Sequence, residues 1–335
     1  MKLRTIFCIL LIVFTAIPVS GQIPSGTVTF NIRPNILKDS KEAKLWIPYP
    51  LSDEYQTISN IRFNGNYNAS AVYRDPDSGA VYCYAKWDNV KEQPVMIMSF
   101  HVDLKDRKIR NIKDSNEPIP VTVKKYLEST QWVPAGDFKK LADSITLGKK
   151  TILQKARAVY DWTVENTYRD PKVKGCGLAL PGRTLKENNG GGKCADISAV
   201  YVSIARAAGV PARDVYGIRL SDPETGDITG GFHCWAEFYL PGTGWIPVDP
   251  ADVRKMMLVH NLKLKDSDNW RKFFWGGDDL FRIVLEKEAR GVTFQPEQKG
   301  EALNYFMYPF GQVDGNTLNY FDPEHFVYSV TFKRD

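Results

Sequence analysis

Cys194 ends the run Gly190-Gly191-Gly192-Lys193-Cys194 and opens a segment in which Ile197, Val200, Tyr201, Ile204 and Ala208 recur at helical spacing. Gly209 and Pro211 stop that helix. Downstream, Phe232–Leu240 and Trp245–Asp249 read as strands around the hairpin loop Pro241-Gly242-Thr243-Gly244. The fold must therefore set a helix that begins at a cysteine against an antiparallel hairpin carrying His233 and Asp249. If Tyr239 pairs with Trp245, Asp249 lies opposite Trp235, and alternation puts Trp235 and His233 on one face. Asp249 and His233 then become diagonal neighbours within hydrogen-bonding reach. Cys234 points to the opposite face in this register, which argues against it as the nucleophile.

Those three residue types are the parts of a thiol acyl-transfer site: Cys194 as nucleophile, His233 as base, Asp249 as orienting carboxylate. A helix N-terminus presents unpaired N–H groups and the positive end of the dipole, and both favour thiolate. Lys193 adds a cation, the Cys194 N–H could donate to an oxyanion, and Gly192 lets backbone approach substrate. Asp252 is a rival to Asp249. Glu237 shares the face of His233 and is structural or substrate-facing. Trp235 and Trp245 either pack in the core or line an acyl-donor groove. Cys194, His233, Cys234 and Asp249 could ligate zinc in principle, but no Cys-x-x-Cys or His-x-x-x-His spacing supports a metal site.

The rest of the chain frames this region. Lys2 and Arg4 precede the apolar run Ile6 to Ile17, and Val19-Ser20-Gly21 follows, so residues 1–21 read as a secretory signal peptide cut after Gly21. The run is short for a membrane span. Secretion or periplasmic delivery is expected, without stable membrane insertion after cleavage. The formal charge of +5 becomes +3 once Lys2 and Arg4 leave, too mild to suggest nucleic acid. Of five cysteines, Cys8 departs with the signal. If Cys194 stays free, at most one disulfide forms among Cys83, Cys176 and Cys234.

Residues 22–120 alternate apolar and polar positions at 27–32, 43–48, 80–85 and 95–102, the pattern of an antiparallel, sandwich-like β domain with no concentration of catalytic residue types. His101 sits in one of these strands and reads as structural. Pro118 and Pro120 mark a linker to a core spanning 121–335, with a good helix over 151–168 and tail strands near 279–286 and 325–332. The expected class is α+β.

Four motifs, Gly191-Gly192-Lys193-Cys194-Ala195-Asp196, Gly209-Val210-Pro211-Ala212-Arg213, His233-Cys234-Trp235-Ala236-Glu237 and Gly244-Trp245-Ile246-Pro247-Val248-Asp249-Pro250, occur in order over about residues 150–255. Together they resemble the transglutaminase-like superfamily, papain-like cysteine enzymes that include many secreted bacterial members described as candidate proteases. Phe273-Phe274-Trp275-Gly276 and Tyr308-Pro309-Phe310-Gly311 also look familial, and Leu45-Trp46-Ile47-Pro48-Tyr49-Pro50 resembles an accessory β domain that precedes such cores. The resemblance implies a papain-like core whose catalytic helix packs on an antiparallel sheet. It implies a Cys194-His233-Asp249 triad and a thioester resolved by water or an amine. It implies no cofactor, and no calcium-loop pattern is present. A second oxyanion donor upstream is usual in the family; Trp162 and Asn166 are the candidates. The expected activity is cleavage or transfer of peptide, isopeptide or glutamine-type amides of a protein or peptide substrate, with hydrolysis favoured. The alternatives are a protein-crosslinking transglutaminase and a non-catalytic binding protein that keeps the fold.

Overall fold

The computed structural model describes residues 24–335 except 37, 110, 221–224, 278–280, 297 and 323. The expected signal segment 1–21 lies outside the described residues. No helix among the described residues is long and apolar enough to cross a membrane.

The strand Ser25–Pro34 buries every second residue, including Val28, Phe30 and Ile32, as period-2 alternation requires. It is the middle strand of a five-stranded sheet ordered Thr225–Asp227, Phe326–Arg334, Ser25–Pro34, Met96–Leu104, Gln56–Gly65. A second five-stranded sheet runs Asn316–Thr317, Phe310–Val313, Glu42–Pro48, Val81–Asp88, Ala69–Arg74. Their inner faces share one hydrophobic cluster. Gln56–Gly65 and Ala69–Arg74 are absent from the sequence expectation because both are largely exposed, and Asn, Ser and Gly residues in the first mute the alternation further.

The sandwich is not confined to residues 22–120. The tail strand Phe326–Arg334 pairs with Ser25–Pro34 from Gly26↔Arg334 to Pro34↔Phe326, and Phe310–Val313 pairs with Glu42–Pro48. Alternation identifies a strand but not its partner, so a boundary near 120 cannot reveal that the chain returns to close both sheets.

The remaining segments form an α+β core. Its antiparallel sheet is ordered Gly244–Val248, Phe232–Leu240, Ala212–Arg219, Arg282–Lys287. Tyr239 pairs with Trp245, the register on which the His–Asp geometry depends. The helix Cys194–Ala207 lies on this sheet with nearly every residue buried, flanked by Ile152–Asn166 and Pro250–Val259.

The two layers are stitched by a buried amide. Gln56, from the sandwich, donates through Nε2 to the Leu51 and Val284 carbonyls at 2.8 and 2.9 Å, and its Oε1 accepts from Val284 N at 2.8 Å. It thus completes the free edge of the core strand Arg282–Lys287 as a neighbouring backbone would. Arg107 Nη2 adds a 3.3 Å bond to the same Oε1. Gln56→Ala should lower stability by about 3 kcal/mol, because it strands both polar groups of Val284. Urea unfolding read by tryptophan fluorescence should still show one transition, and a chain beginning at residue 121 should aggregate rather than fold.

Candidate active site

The start of the helix Cys194–Ala207 is fixed by Asp196. Its Oδ2 accepts from Lys193 N at 3.1 Å, and its Oδ1 from Leu178 N and Ala179 N at 2.9 and 3.0 Å. One buried carboxylate thereby satisfies three N–H groups and folds the 176–179 loop over the helix start. Gly192 is required here: a Cβ on it would lie 2.6 Å from Asp196 Cβ. Ala195 N donates to the Cys176 carbonyl at 2.9 Å, which sets Cys176 beside Cys194. The Cys194 N–H, in the first turn, has no intrahelical acceptor. A short parallel pairing, Tyr168↔Gly191 and Arg169↔Gly192, delivers Arg169, whose charge is stabilised by the neighbouring Cys194.

On the hairpin, His233 Nε2 lies 2.7 Å from Asp249 Oδ2 and 3.7 Å from Asp252 Oδ2. Asp249 caps the helix Pro250–Val259, its Oδ1 accepting from Asp252 N at 2.8 Å. Arg282 is buried between both acids, with Nη1 at 2.7 Å from Asp249 Oδ2 and Nη2 at 3.0 Å from Asp252 Oδ2. Arg219 pairs with Asp252 as well. The charge of His233 lowers the pKa of the neighbouring Cys194 thiol, and since Nε2 is committed to Asp249, Nδ1 is the nitrogen left for the thiol. The structure therefore brings Cys194, His233 and Asp249 together, with Asp249 nearer the ring than Asp252.

The electrostatics follow from these contacts. Burial alone would push the Cys194 thiol up. The neighbouring Cys176 and Cys234 thiols and His233, with its charge, outweigh it and hold the thiol well below the usual range. Burial disfavours the charged form of His233, yet Asp252 and Asp249 raise its pKa. Burial likewise opposes ionisation of Asp249, and His233 and Arg282 overcome it, leaving a carboxylate well below the usual range. The result is a thiolate–imidazolium pair backed by a carboxylate.

All four described cysteines are free, so the disulfide allowed among Cys83, Cys176 and Cys234 is not formed. The sulfurs of Cys176, Cys194 and Cys234 lie within 4.8 Å of one another. Cys234 does face away from Trp235, as alternation demands, but that face is the one that meets the helix start, so it ends beside Cys194. Burial and its two thiol neighbours keep the Cys234 thiol well above its ordinary pKa. His233, Asp249 and Asp252 form a second potential ligand trio, but the Arg282 guanidinium already occupies the position a cation would take. The sequence-level zinc set Cys194, His233, Cys234 and Asp249 is not among the ligand groups of the described residues.

Several expected roles shift. Trp235 is fully buried, packed with Val215 and Val284 and stacked on His233 at 6.0 Å, so it supports the imidazole and cannot line a groove. Trp245 pairs with Tyr239, six residues along the strand from His233, or about 20 Å at strand rise. There it meets Tyr126 edge to face and lies under Arg213. Gly192 is buried and holds the helix start. Glu237 forms a buried ion pair with Arg213 at 2.7 Å. Trp162 is half-buried against the helical cluster, and exposed Asn166 donates to its carbonyl, so neither reaches Cys194. Arg169, Cys176 and Arg282 were not foreseen. Only Arg282 left a trace, as a lone charge in the apolar run Phe281-Arg282-Ile283-Val284-Leu285.

Cys194 is 1% exposed. Two cavities flank it and share Arg169, Gly230 and Phe232 as a common wall. One, about 410 Å³, is aromatic, with Tyr308, Tyr320, Phe321 and Tyr328 beside Cys176. The other, about 350 Å³, holds His233, Arg219 and Lys255.

Two outcomes test this electrostatic arrangement. Alkylation of Cys194 by iodoacetamide should change less than about threefold between pH 6 and 8, whereas an ordinary thiol slows roughly a hundredfold over that range. Arg282→Met should remove the cation that two buried carboxylates share, cost about 3–5 kcal/mol in urea unfolding, and restore a steep pH dependence to alkylation.

The transglutaminase-like superfamily matches residues 139–250. An uncharacterized protein of Haemophilus influenzae is 34% identical over 321 residues, covering 88% of this chain and 86% of that protein. Among solved structures, a candidate cysteine protease from Cytophaga hutchinsonii superposes with a TM-score of 0.56 at 15% identity, covering 93% of this chain and 99% of that one. The periplasmic domain of TgpA from Pseudomonas aeruginosa aligns with a TM-score of 0.35 at 14% identity, covering 76% of this chain and 100% of that one. With the family model matched over the segment that carries Cys194, His233 and Asp249, and a relative matching along nearly the whole length, the chain belongs to the transglutaminase-like superfamily.

Proposed function

We propose that this protein is an exported cysteine hydrolase that opens peptide or isopeptide amides through a thioester on Cys194. The observation that carries the reading is the 2.7 Å pairing of His233 Nε2 with Asp249 Oδ2, with the same imidazole lowering the pKa of the neighbouring Cys194 thiol. Cys194 Sγ attacks the amide carbon, and the oxygen takes the negative charge. The Cys194 N–H and the Arg169 guanidinium are the donors placed to hold that oxyanion. The C–N bond breaks as His233 gives its proton to the leaving amine, and Asp249 keeps the ring in the required tautomer. His233 then takes a proton from water, which attacks the thioester and releases the acid and the thiolate. Export is read from residues 1–21, and the partner is a protein or peptide substrate.

One observation favours a second reading, transfer to an amine. The aromatic cavity beside Cys176 could seat an amine acceptor away from bulk water and give it a high effective molarity. Its walls are Tyr308, Tyr320, Phe321 and Tyr328, not the tryptophans Trp235 and Trp245.

Incubating the protein with a glutamine-containing peptide library, with and without a millimolar primary amine, separates these readings by mass spectrometry. Hydrolysis should dominate without amine and amine incorporation should remain the minor product with it. Both should vanish in Cys194→Ala. Near-complete incorporation would assign the transferase instead, and unchanged turnover in Cys194→Ala would overturn the mechanism.

A further inference from the structure

The cavity on the His233 side of Cys194 has a charge pattern that amide chemistry alone does not need. Its lining includes three cations, Arg169, Arg219 and Lys255, against one acid, Asp227. Asp227 is already engaged, its Oδ1 accepting from Thr229 N at 2.7 Å. Arg219 is neutralised by Asp252. The other two cations lack a carboxylate. Arg169 Nη1 is buried with no hydrogen-bond partner. Lys255 is half-buried and makes no ion pair with a described carboxylate. The acid nearest in influence is Asp252, whose charge Arg219 and Arg282 already share.

Lys255 is placed here by the fold. Asp249, Asp252 and Lys255 fall at positions i, i+3 and i+6 at and along the helix Pro250–Val259, hence on one face. The same turn that orients His233 therefore carries an ammonium into the adjoining cavity. Burial and the neighbouring Arg219 depress its pKa, as expected of a cation held among cations without a counter-ion. Gly230 and Gly231 supply another wall with bare backbone. The Cys194 sulfur offsets the Arg169 charge in part, which leaves Lys255 as the cation without an ion-pair partner among the described residues, and a desolvated ammonium of this kind is a stable partner for an anion.

We infer that the cavity between Arg169 and Lys255 is a subsite for a carboxylate carried by the amide substrate close to the bond that is opened. The inference rests on Cys194 being the nucleophile, and it names the substrate class: acidic acyl compounds, with the carboxylate supplied by an Asp or Glu side chain or by a chain terminus.

Alkylation reads the subsite without any knowledge of the natural substrate. Iodoacetate carries the carboxylate and iodoacetamide does not, so the ratio of their rates at Cys194, divided by the same ratio for a neutral model thiol, reports the local anion preference. Changes in thiolate population cancel in that ratio. We expect a normalised ratio of about tenfold or more, the size of effect that a cation a few ångströms away supplies. Lys255→Gln should reduce it by about threefold or more, and Lys255→Arg should retain it. Protection assigns the source. Slowing of iodoacetamide by N-acetylglutamate α-amide, with its side-chain carboxylate, points to an acidic side chain. Slowing by N-acetylglutamine, with its free α-carboxylate, points to a terminus. N-acetylglutamine amide is the neutral control. A normalised ratio within twofold of unity, or one unaffected by Lys255→Gln, would overturn the subsite while leaving the nucleophile in place. Failure of both reagents to label Cys194 would overturn the nucleophile assignment and the subsite with it.

Discussion

The arrangement hangs on one buried guanidinium. Asp249 and Asp252 approach the same imidazole, and two carboxylates so close cannot both stay ionised in the interior unless a fixed cation sits between them. Arg282 is that cation. It comes from residue 282, beyond the 139–250 region that defines the superfamily, on the edge strand of the core sheet. Two residues further along the same strand, Val284 is held by Gln56 of the sandwich. The strand that the N-terminal sheet holds through Gln56 is thus the strand that carries Arg282 to Asp249 and Asp252. The accessory sheets help to fix the position of the cation behind the base.

The nucleophile end relies on a different device. Three thiols share a small buried volume, and the negative charge settles on the one that has a helix N-terminus, an arginine and an imidazole around it. Cys176 and Cys234 are held well above the usual thiol range, and they donate elsewhere, Cys176 to the Phe232 carbonyl at 3.3 Å and Cys234 to the Met307 sulfur at 3.7 Å. Asp196 lies in the same turn, but its carboxylate is consumed by three backbone N–H groups and so does not confront the thiolate as an open acceptor. The helix start is anchored by an acid and still presents a positive face to sulfur.

Much of this was legible in the sequence because local patterns carried it. The Gly-Gly-Lys-Cys turn, the helical spacing after Cys194 and the Pro-Gly-Thr-Gly loop fix the helix and hairpin. The hairpin length then leads to Tyr239↔Trp245 and to the His233–Asp249 pairing. What escaped were contacts between residues far apart in the chain. Nothing near Arg169 indicates that it pairs with Gly192 in a two-residue parallel ladder, and nothing near Cys176 indicates a carbonyl bonded to Ala195. The tryptophans were misjudged for a related reason. Side-chain alternation gives the face of Trp235 but not what covers that face, and the cover is Val215, Val284 and Arg282. The tail strands were recognised as strands, yet their partners lie some 300 residues upstream, beyond any periodicity argument.

That last pairing has a consequence for the aromatic cavity. Phe326–Arg334 is an interior strand, flanked by Ser25–Pro34 on one side and Thr225–Asp227 on the other, and Phe326, Val327 and Tyr328 line the aromatic cavity beside Cys176. Until Phe326–Arg334 joins the first sheet, Ser25–Pro34 has an unpaired edge and the cavity lacks its outer wall. The pocket beside the thiols is therefore coupled to a sheet closure made between segments some 300 residues apart, so whatever unzips that strand also opens the cavity.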